Sequence, residues 1–426
     1  MTLLVISPAY VSHYGPLSVV GAAVKQAGQR VVVATGSMLR ERVEADGFEW
    51  RPLALGASSN AGIVSESPAI SRFLDATRAG AVATIRRQAL DREHDLLWKP
   101  EQVASDIADL VDRLQPDEVL VDHVSFGSTL GMYATGRSFV TLVPGHPSQL
   151  PVGDERYGVP SAWPESLRPD RADLDELDAL ADRVGRTFTR RWNEALDAVA
   201  PDRPPVADAF RVHGRRVLFN SRAELHAEAR SRLLPADSLF VGPLVRDEAL
   251  PERYATWAVR TPNRPQAYVA LGTFLSHRND VLVRIAEALR RHDVRAAIAL
   301  GSTPPTALGD VPGDWLIAPH LPQVALLGHA DIAIHHGGNN SVQEALSAGA
   351  RQVTLPFSTD QFANAADLER NGVAVVADPN RASITTIADA VESAMARPAA
   401  PRTTTINPDR LVDAVVETTE PSLPVA

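Results

Sequence analysis

The chain has 426 residues, 45% of them hydrophobic and 22% charged, a globular balance that excludes disordered and fibrous classes. Its net charge of -10 argues against nucleic-acid binding and against docking on anionic membranes. With no cysteine, disulfides, zinc-thiolate sites, iron-sulfur clusters and cysteine nucleophiles are excluded.

At about 150 residues per domain, the length predicts two or three domains. The first apolar run, Leu3, Leu4, Val5 and Ile6, stops at Ser7 and Pro8 and reads as a strand buried on both faces. It lacks the basic flank and cleavage site of a signal peptide, and no stretch reaches the roughly 18 apolar residues of a membrane span. The expected location is the cytoplasm. A loop over 9–15 carries His13, and Pro16 is expected in the first turn of a helix. Leu17, Val20 and Val24 keep helical spacing, Gly28 ends the helix, and 30–34 is the next strand. Strand, helix and strand in that order form the unit of a doubly wound α/β sheet.

The unit recurs. A helix is expected over 104–114 and a strand over 118–121 that stops at Asp122. Further strands are expected over 138–142, 217–220 and 239–243, with a charged helix over 170–200. The polar stretch 244–264 reads as a linker. A second alternation follows, with strands over 268–273, 295–300, 315–318, 332–335 and 352–356 and a helix over 281–289. The tail holds one amphipathic segment, 408–416. The fold class is therefore α/β, with two Rossmann-like domains.

The turn after the first strand has no G-x-G-x-x-G, and no G-x-x-x-x-G-K-[ST] occurs anywhere, which argues against a dehydrogenase and a P-loop ATPase. The densest segment is His335-His336-Gly337-Gly338-Asn339-Asn340-Ser341, with Glu344 one turn on. It follows a strand and opens a helix. Its glycines admit close backbone approach, and a helix N-terminus favours phosphate. Asn340 and Ser341 add donors and are expected to cap the helix. Glu344 is in reach of a ribose. The neighbouring histidines point to opposite faces of a strand, which argues against a metal. Asp173-Leu174-Asp175 has the spacing of a metal-diphosphate motif, yet lies in an acidic helical stretch and reads as a solvated face.

Pro322-Gln323, Leu327, His329, His336-Gly337-Gly338, Asn340-Ser341, Glu344-Ala345-Leu346, Gly349, Pro356, Asp360-Gln361 and Asn364 stand in order over some forty positions. Together they resemble the donor-binding signature of GT-B fold nucleotide-sugar-dependent glycosyltransferases. The nearest flavour is the bacterial macrolide and antibiotic enzymes, related to UDP-glycosyltransferases. Tyr268 to Thr273 with Ser276, and Asn220, Leu225 and Val241-Gly242-Pro243, extend the resemblance more weakly. It implies an acceptor-binding domain over 1–243, the linker 244–264, a donor-binding domain over 265–400, and a tail 401–426 whose helix packs back on the first domain. The two domains would face each other across a cleft. It implies that Thr273, His336, Asn340 and Ser341 hold the diphosphate, that Gly338 and Asn339 belong to the donor site, and that Glu344 holds the ribose. Leu321 and Gln323 would face the base, and Asp360 and Gln361 the sugar hydroxyls. The sequence departs from the plant pattern at His320, where a tryptophan is usual, and from the bacterial Ala-Gly-Thr at Asn339-Asn340-Ser341.

His13 and Asp122 both fall at carboxyl ends of parallel strands, where α/β sheets bind ligands. A near-neutral histidine backed by a carboxylate suits proton abstraction from a hydroxyl. The resembling family uses such a pair for inverting transfer from a UDP- or dTDP-sugar to a small-molecule hydroxyl. The nucleotide sugar is a co-substrate, and no cofactor or metal is required. His123 points to the other face if the strand continues. Acceptor walls are sought in 53–67, 73–98 and 143–163, with His146, Trp98 and Phe126 as candidates. A monomer or homodimer is expected, without nucleic acid or an integral membrane segment. The alternatives are a nucleotide-sugar 2-epimerase, or a catalytically silent homologue that acts as a binding or activating partner.

Overall fold

The computed structural model describes residues 1–56, 68–262, 264–403 and 406–416. Two parallel sheets organise them. The first holds β1 (Thr2–Ile6), β2 (Arg30–Thr35), β3 (Glu49–Pro52), β4 (Glu118–Asp122), β5 (Val140–Val143), β6 (Arg216–Phe219) and β7 (Ser238–Phe240). Their order is β3-β2-β1-β4-β5-β6-β7. The second holds β8 (Gln266–Ala270), β9 (Arg295–Ala299), β10 (Leu316–Ala318), β11 (Ile332–His335), β12 (Arg351–Thr354) and β13 (Ala374–Val376), in the order β10-β9-β8-β11-β12-β13.

The apolar runs have a simple cause. Leu3 and Val5 of β1 join the core beneath helix α1 (Val11–Gln26), while Leu4 and Ile6 join the core on the opposite face. Side chains alternate along a strand, so a strand covered on both faces is apolar throughout. β8 repeats the arrangement, with Ala267 and Val269 in one core and Tyr268 and Ala270 in the other.

Chain order then places the sites. In the first sheet the chain builds β1, β2 and β3 outward and returns beside β1 as β4. The second sheet switches in the same way between β8 and β11. Ligands bind at the carboxyl ends of strands at such switch points.

Several elements differ from the sequence reading. α1 begins at Val11, so His13 lies in its first turn and Pro16 lies inside it. The charged stretch is one helix, α2 (Arg171–Val199), with Leu177, Leu180, Val184, Phe188 and Trp192 along its buried face. Asp173 and Asp175 sit at its start, where Asp175 pairs with Arg171 at 2.9 Å. The stretch 244–264 contains the short turns Glu252–Tyr254 and Ala255–Ala258, and buries Trp257 against the second sheet. Helices Pro68–Ala79, Ala81–Asp95, Phe126–Thr135 and Ile384–Met395 and strands β3 and β13 join the expected set. β3 reads Glu-Trp-Arg-Pro, a half-exposed edge with no apolar run to announce it.

In the second sheet, α3 (Asn339–Ala348) follows β11 and α4 (Thr359–Arg370) follows β12. The tail helix α5 (Pro408–Val415) places Leu411, Ala414 and Val415 in the core beside α1. Arg215 donates to the Val415 carbonyl at 2.7 Å and Arg216 to that of Ala414 at 2.9 Å. These bonds satisfy carbonyls that a helix C-terminus leaves open. Among the described residues, no helix is long and apolar enough to cross a membrane.

Candidate active site

β1 leads into the first turn of α1, and neighbouring β4 ends at Asp122. This juxtaposition sets His13 Nδ1 2.9 Å from Asp122 Oδ2. The Asp122 side chain is fully buried, and that of His13 is 22% exposed. The other carboxylate oxygen accepts from the Val124 N–H at 2.9 Å. An ionised Asp122 only accepts, so Nδ1 carries the proton and the lone pair of the neutral ring lies on Nε2. Burial opposes charging of His13. The charge and hydrogen bond of Asp122, joined by the charge of Asp360, outweigh it and raise the pKa above 6.5. His123 faces the other way. Its Nε2 meets the Gln149 carbonyl at 2.8 Å, and burial lowers its pKa to about 4.

The second switch point carries the glycine segment. Gly337 has φ +82°, and a Cβ there would come within 3.1 Å of the Gln361 carbonyl. That position therefore requires glycine. α3 starts at Asn339, with Gly338 as N-cap and no side-chain cap. The expected caps, Asn340 and Ser341, lie inside the first turn because the helix begins earlier than their position suggested. The first N–H groups of α3 are left without a side-chain partner, and the positive end of its dipole lies at the carboxyl end of β11.

His335 and His336 diverge. His335 is buried, with Nε2 2.8 Å from Gln352 Oε1 and Nδ1 accepting from the Gly337 N–H at 3.0 Å. His336 lies across Gly272 and Gly338, where an added Cβ would come within 2.8 and 2.4 Å of its ring. Burial, then the neighbouring His335, lowers its pKa to about 3, so it is neutral near pH 7. Thr273 belongs to the turn Gly272–Leu275, and its side chain lies outside the described residues.

The polar side chains of α3 divide between two directions. Asn339 and Asn340 reach the first sheet's loops. Asn339 Nδ2 donates to the Pro144 and Asn220 carbonyls at 2.8 and 2.7 Å. Asn340 Nδ2 donates to the Ser12 carbonyl at 2.8 Å. Ser341 and Glu344 instead meet Gln323, whose amide donates to Ser341 Oγ at 3.3 Å and also to Glu344. Burial raises the Glu344 pKa to about 7, with Gln323 opposing the shift and Glu248 adding to it. Leu321 packs partly buried beside Tyr268 and Leu326.

α4 supplies the remaining expected residues. Asp360 Oδ2 accepts from the His146 N–H at 3.4 Å. Gln361 closes a capping box with Ser358. Its Oε1 accepts from the N–H groups of Phe357 and Ser358 at 3.0 and 3.2 Å. Gln361 thus already has a structural task.

The acceptor candidates fare unevenly. Phe126 is buried among Phe188, Phe210, Tyr157 and His123, and is core. Trp98 is half-buried against the first core, with the Lys99 ammonium 5.0 Å from its ring. His146 is buried, not a cleft wall. Of the wall segments, 57–67 lies outside the described residues. The other two meet where the Arg92 guanidinium lies 5.3 Å from the Tyr157 ring centroid. The charge of Asp360 acts on both groups.

Sequence reasoning missed a hub between the two sheets. His146 Nε2 lies 3.0 Å and His226 Nδ1 2.6 Å from Asp367 Oδ2, and Arg370 reaches the other carboxylate oxygen at 2.7 Å. Two histidines and a carboxylate have the makings of a metal site. However, the Ser148 N–H donates to His146 Nδ1 at 3.1 Å, which fixes the proton on Nε2. Nε2–H then donates to Asp367, leaving no lone pair to aim at a metal. Asp367 follows Asp360 at a spacing of seven on the same helix, the signal that could have linked it to the site.

The family model described as UDP-glucoronosyl and UDP-glucosyl transferase matches residues 181–411. A relative from Bacillus subtilis, the uncharacterized UDP-glucosyltransferase YdhE, is 27% identical over 266 residues, 60% of each chain. The NDP-glycosyltransferase YjiC of the same organism is 27% identical over 36% of this chain and 39% of its own. The chain thus covers less than two thirds of the length of these two relatives. The 4'-demethylrebeccamycin synthase of Lentzea aerocolonigenes is 24% identical over 91% of this chain and 90% of its own. Among solved structures, the glycosyltransferase of kitacinnamycin superposes with a TM-score of 0.67 at 19% identity, covering 97% of this chain and 93% of its own. VinC, solved with dTDP, superposes with a TM-score of 0.62 at 17% identity, covering 93% and 91%. The fold is GT-B, as the sequence led one to expect.

Proposed function

Because the chain belongs to the family of UDP-glucoronosyl and UDP-glucosyl transferases, we propose that it moves a sugar from a UDP- or dTDP-sugar to a hydroxyl of a small natural-product acceptor, with inversion. The observation that carries this reading is the His13–Asp122 pair, which lies at one switch point and feels Asp360 from the other sheet. The related names support the substrate classes. VinC was solved with dTDP, and SpnG with thymidine diphosphate and with spinosyn aglycone.

The proposed mechanism starts from the tautomer of His13. Asp122 holds the Nδ1–H tautomer, so Nε2 takes the proton of the acceptor hydroxyl. The oxygen attacks the anomeric carbon, and the nucleoside diphosphate departs from the opposite face. The uncapped N–H groups of α3 supply hydrogen bonds to the charge that grows on the leaving group, with His336 beside them. Removing one such donor costs roughly 10²–10³ in rate in comparable sites. Ser341 and Thr273 face the diphosphate in this reading, Glu344 holds the ribose, Leu321 and Gln323 border the base, and Asp360 holds sugar hydroxyls. No step is assigned to a metal. Residues 1–243 act as the acceptor domain and 265–400 as the donor domain.

The test pairs binding with stereochemistry. Calorimetric titration with UDP and dTDP should show saturable binding that Ser341→Ala weakens. Products from an α-linked donor should be β-linked by NMR coupling. Retained configuration would overturn the single displacement, and absence of binding by either nucleotide would overturn the donor site.

A further inference from the structure

Pro16 stands inside α1 and has no N–H. The carbonyl one turn earlier, that of Ser12, therefore lacks its helical donor. Asn340, from the first turn of α3, fills the gap with its Nδ2 at 2.8 Å. The other end of the same carboxamide is also engaged, since Asn340 Oδ1 accepts from Asn220 Nδ2 at 3.4 Å. The carboxamide is thus turned toward the first sheet, although the family resemblance assigns it to the diphosphate. Ser12 directly precedes His13, whose Nδ1 bonds Asp122.

We propose that Asn340 is a positioning residue for the base: it donates to the Ser12 carbonyl that Pro16 leaves open, and so ties the donor helix to the turn that carries His13. The inference rests on the glycosyl-transfer reading for its kinetic consequence. The tie itself does not depend on that reading. Proline and asparagine act here as one device. The proline removes a local partner, and the carbonyl it frees becomes an acceptor for the opposite half. This hydrogen bond joins the turn that carries His13 directly to the first turn of α3.

The experiment is a double-mutant cycle on the full chain with Asn340→Ala, Pro16→Ala and both together. The Pro16→Ala change restores a backbone N–H for the Ser12 carbonyl and makes Asn340 redundant there. In the wild-type background, Asn340→Ala should lower kcat roughly five- to tenfold, the scale of one lost hydrogen bond, with donor KM changing less than about twofold. In the Pro16→Ala background the same change should lower kcat less than about twofold. Asn340→Asp, which keeps the shape but only accepts when ionised, should behave as Asn340→Ala does. Equal losses in both backgrounds, or a loss confined to donor KM, would overturn the proposal in favour of a plain diphosphate ligand. If the wild-type protein transfers no sugar, the functional reading fails by itself, and the cycle is read on thermal unfolding. Asn340→Ala should then lower Tm in the wild-type background and not beside Pro16→Ala, and additive shifts would overturn the tie.

Discussion

His336, Asn340, Ser341 and Glu344 of the second sheet's site follow one another along a single loop and helix, whereas His13 and Asp122 of the first are 109 residues apart. The first group is built from contiguous chain. A strand end and a helix start place its groups together through local geometry. The His13–Asp122 pair exists only because β1 and β4 are sheet neighbours. One half is therefore written as a motif and the other as a topology. A motif is resilient to changes elsewhere in the fold. A pair assembled by topology depends on both strands and on whatever holds the turn of α1.

That contrast can be sharpened by substitution. The largest effect is expected from Asp122→Asn. It removes the buried charge behind His13 and should cut kcat/KM about 10³-fold, or about 4 kcal/mol, with donor binding intact. A comparable loss of nucleotide affinity in calorimetry would show that the halves are not separable. In the unaltered protein, the acid limb of kcat/KM should lie above pH 6.5, because the base must be unprotonated and its pKa is raised.

Next comes the hub that joins the halves. Asp367→Asn leaves His146, His226 and Arg370 without their carboxylate and should cost about 3 kcal/mol in chemical denaturation. The pH dependence has a definite sign. Burial lowers the His226 pKa despite Asp367, so the unfolded chain protonates it before the folded one does, and stability falls as pH drops below 6.5. Burial pushes the Asp367 pKa up, but its bonds to His146 and His226 prevail and depress it. Its stabilisation is lost as pH falls below about 3.8. A flat stability profile across this range would contradict the hub.

A smaller effect of opposite sign belongs to the second sheet's site. Glu344 titrates at about 7 in the folded chain against 4.5 when unperturbed. The folded state holds the extra proton, so stability should decline by about 2.5 kcal/mol as pH rises from about 4.5 to about 7. Glu344→Gln should abolish that decline, measured by urea unfolding at several pH values. The smallest effect is expected from Asp173→Ala with Asp175→Ala. These residues lie on the open start of α2, and their loss should change stability by less than about 0.5 kcal/mol and leave transfer unaltered. A large loss of manganese-stimulated turnover would reinstate them as a metal motif.

The same contrast explains what the sequence disclosed. The buried strands of both sheets were legible because central parallel strands are apolar on both faces. The donor helix was legible because glycines, amides and a carboxylate crowd one stretch. β3 was not, since an edge strand of Glu, Trp, Arg and Pro carries no run. Pro16 misdirected the start of α1. Proline usually opens a helix, and the carboxamide that answers its missing bond comes from the far end of the chain. Phe126 was a candidate for the acceptor wall, yet the turn after β4 folds it inward onto Phe188 and Phe210. His146 was placed near the acceptor, but its partner Asp367 is 221 residues away, a pairing no local pattern encodes.

The role proposed for His13 as the base is open to one decisive comparison: incubation of the protein, and separately its His13→Ala variant, with UDP-glucose and dTDP-glucose and a panel of polyketide and flavonoid acceptors. Products are read by mass spectrometry, beside a nucleotide titration of both proteins. Sugar-mass adducts are expected from the unaltered protein, with a loss of about 10³-fold in the variant and equal nucleotide affinity in both. Adducts formed at an undiminished rate by His13→Ala would contradict that role.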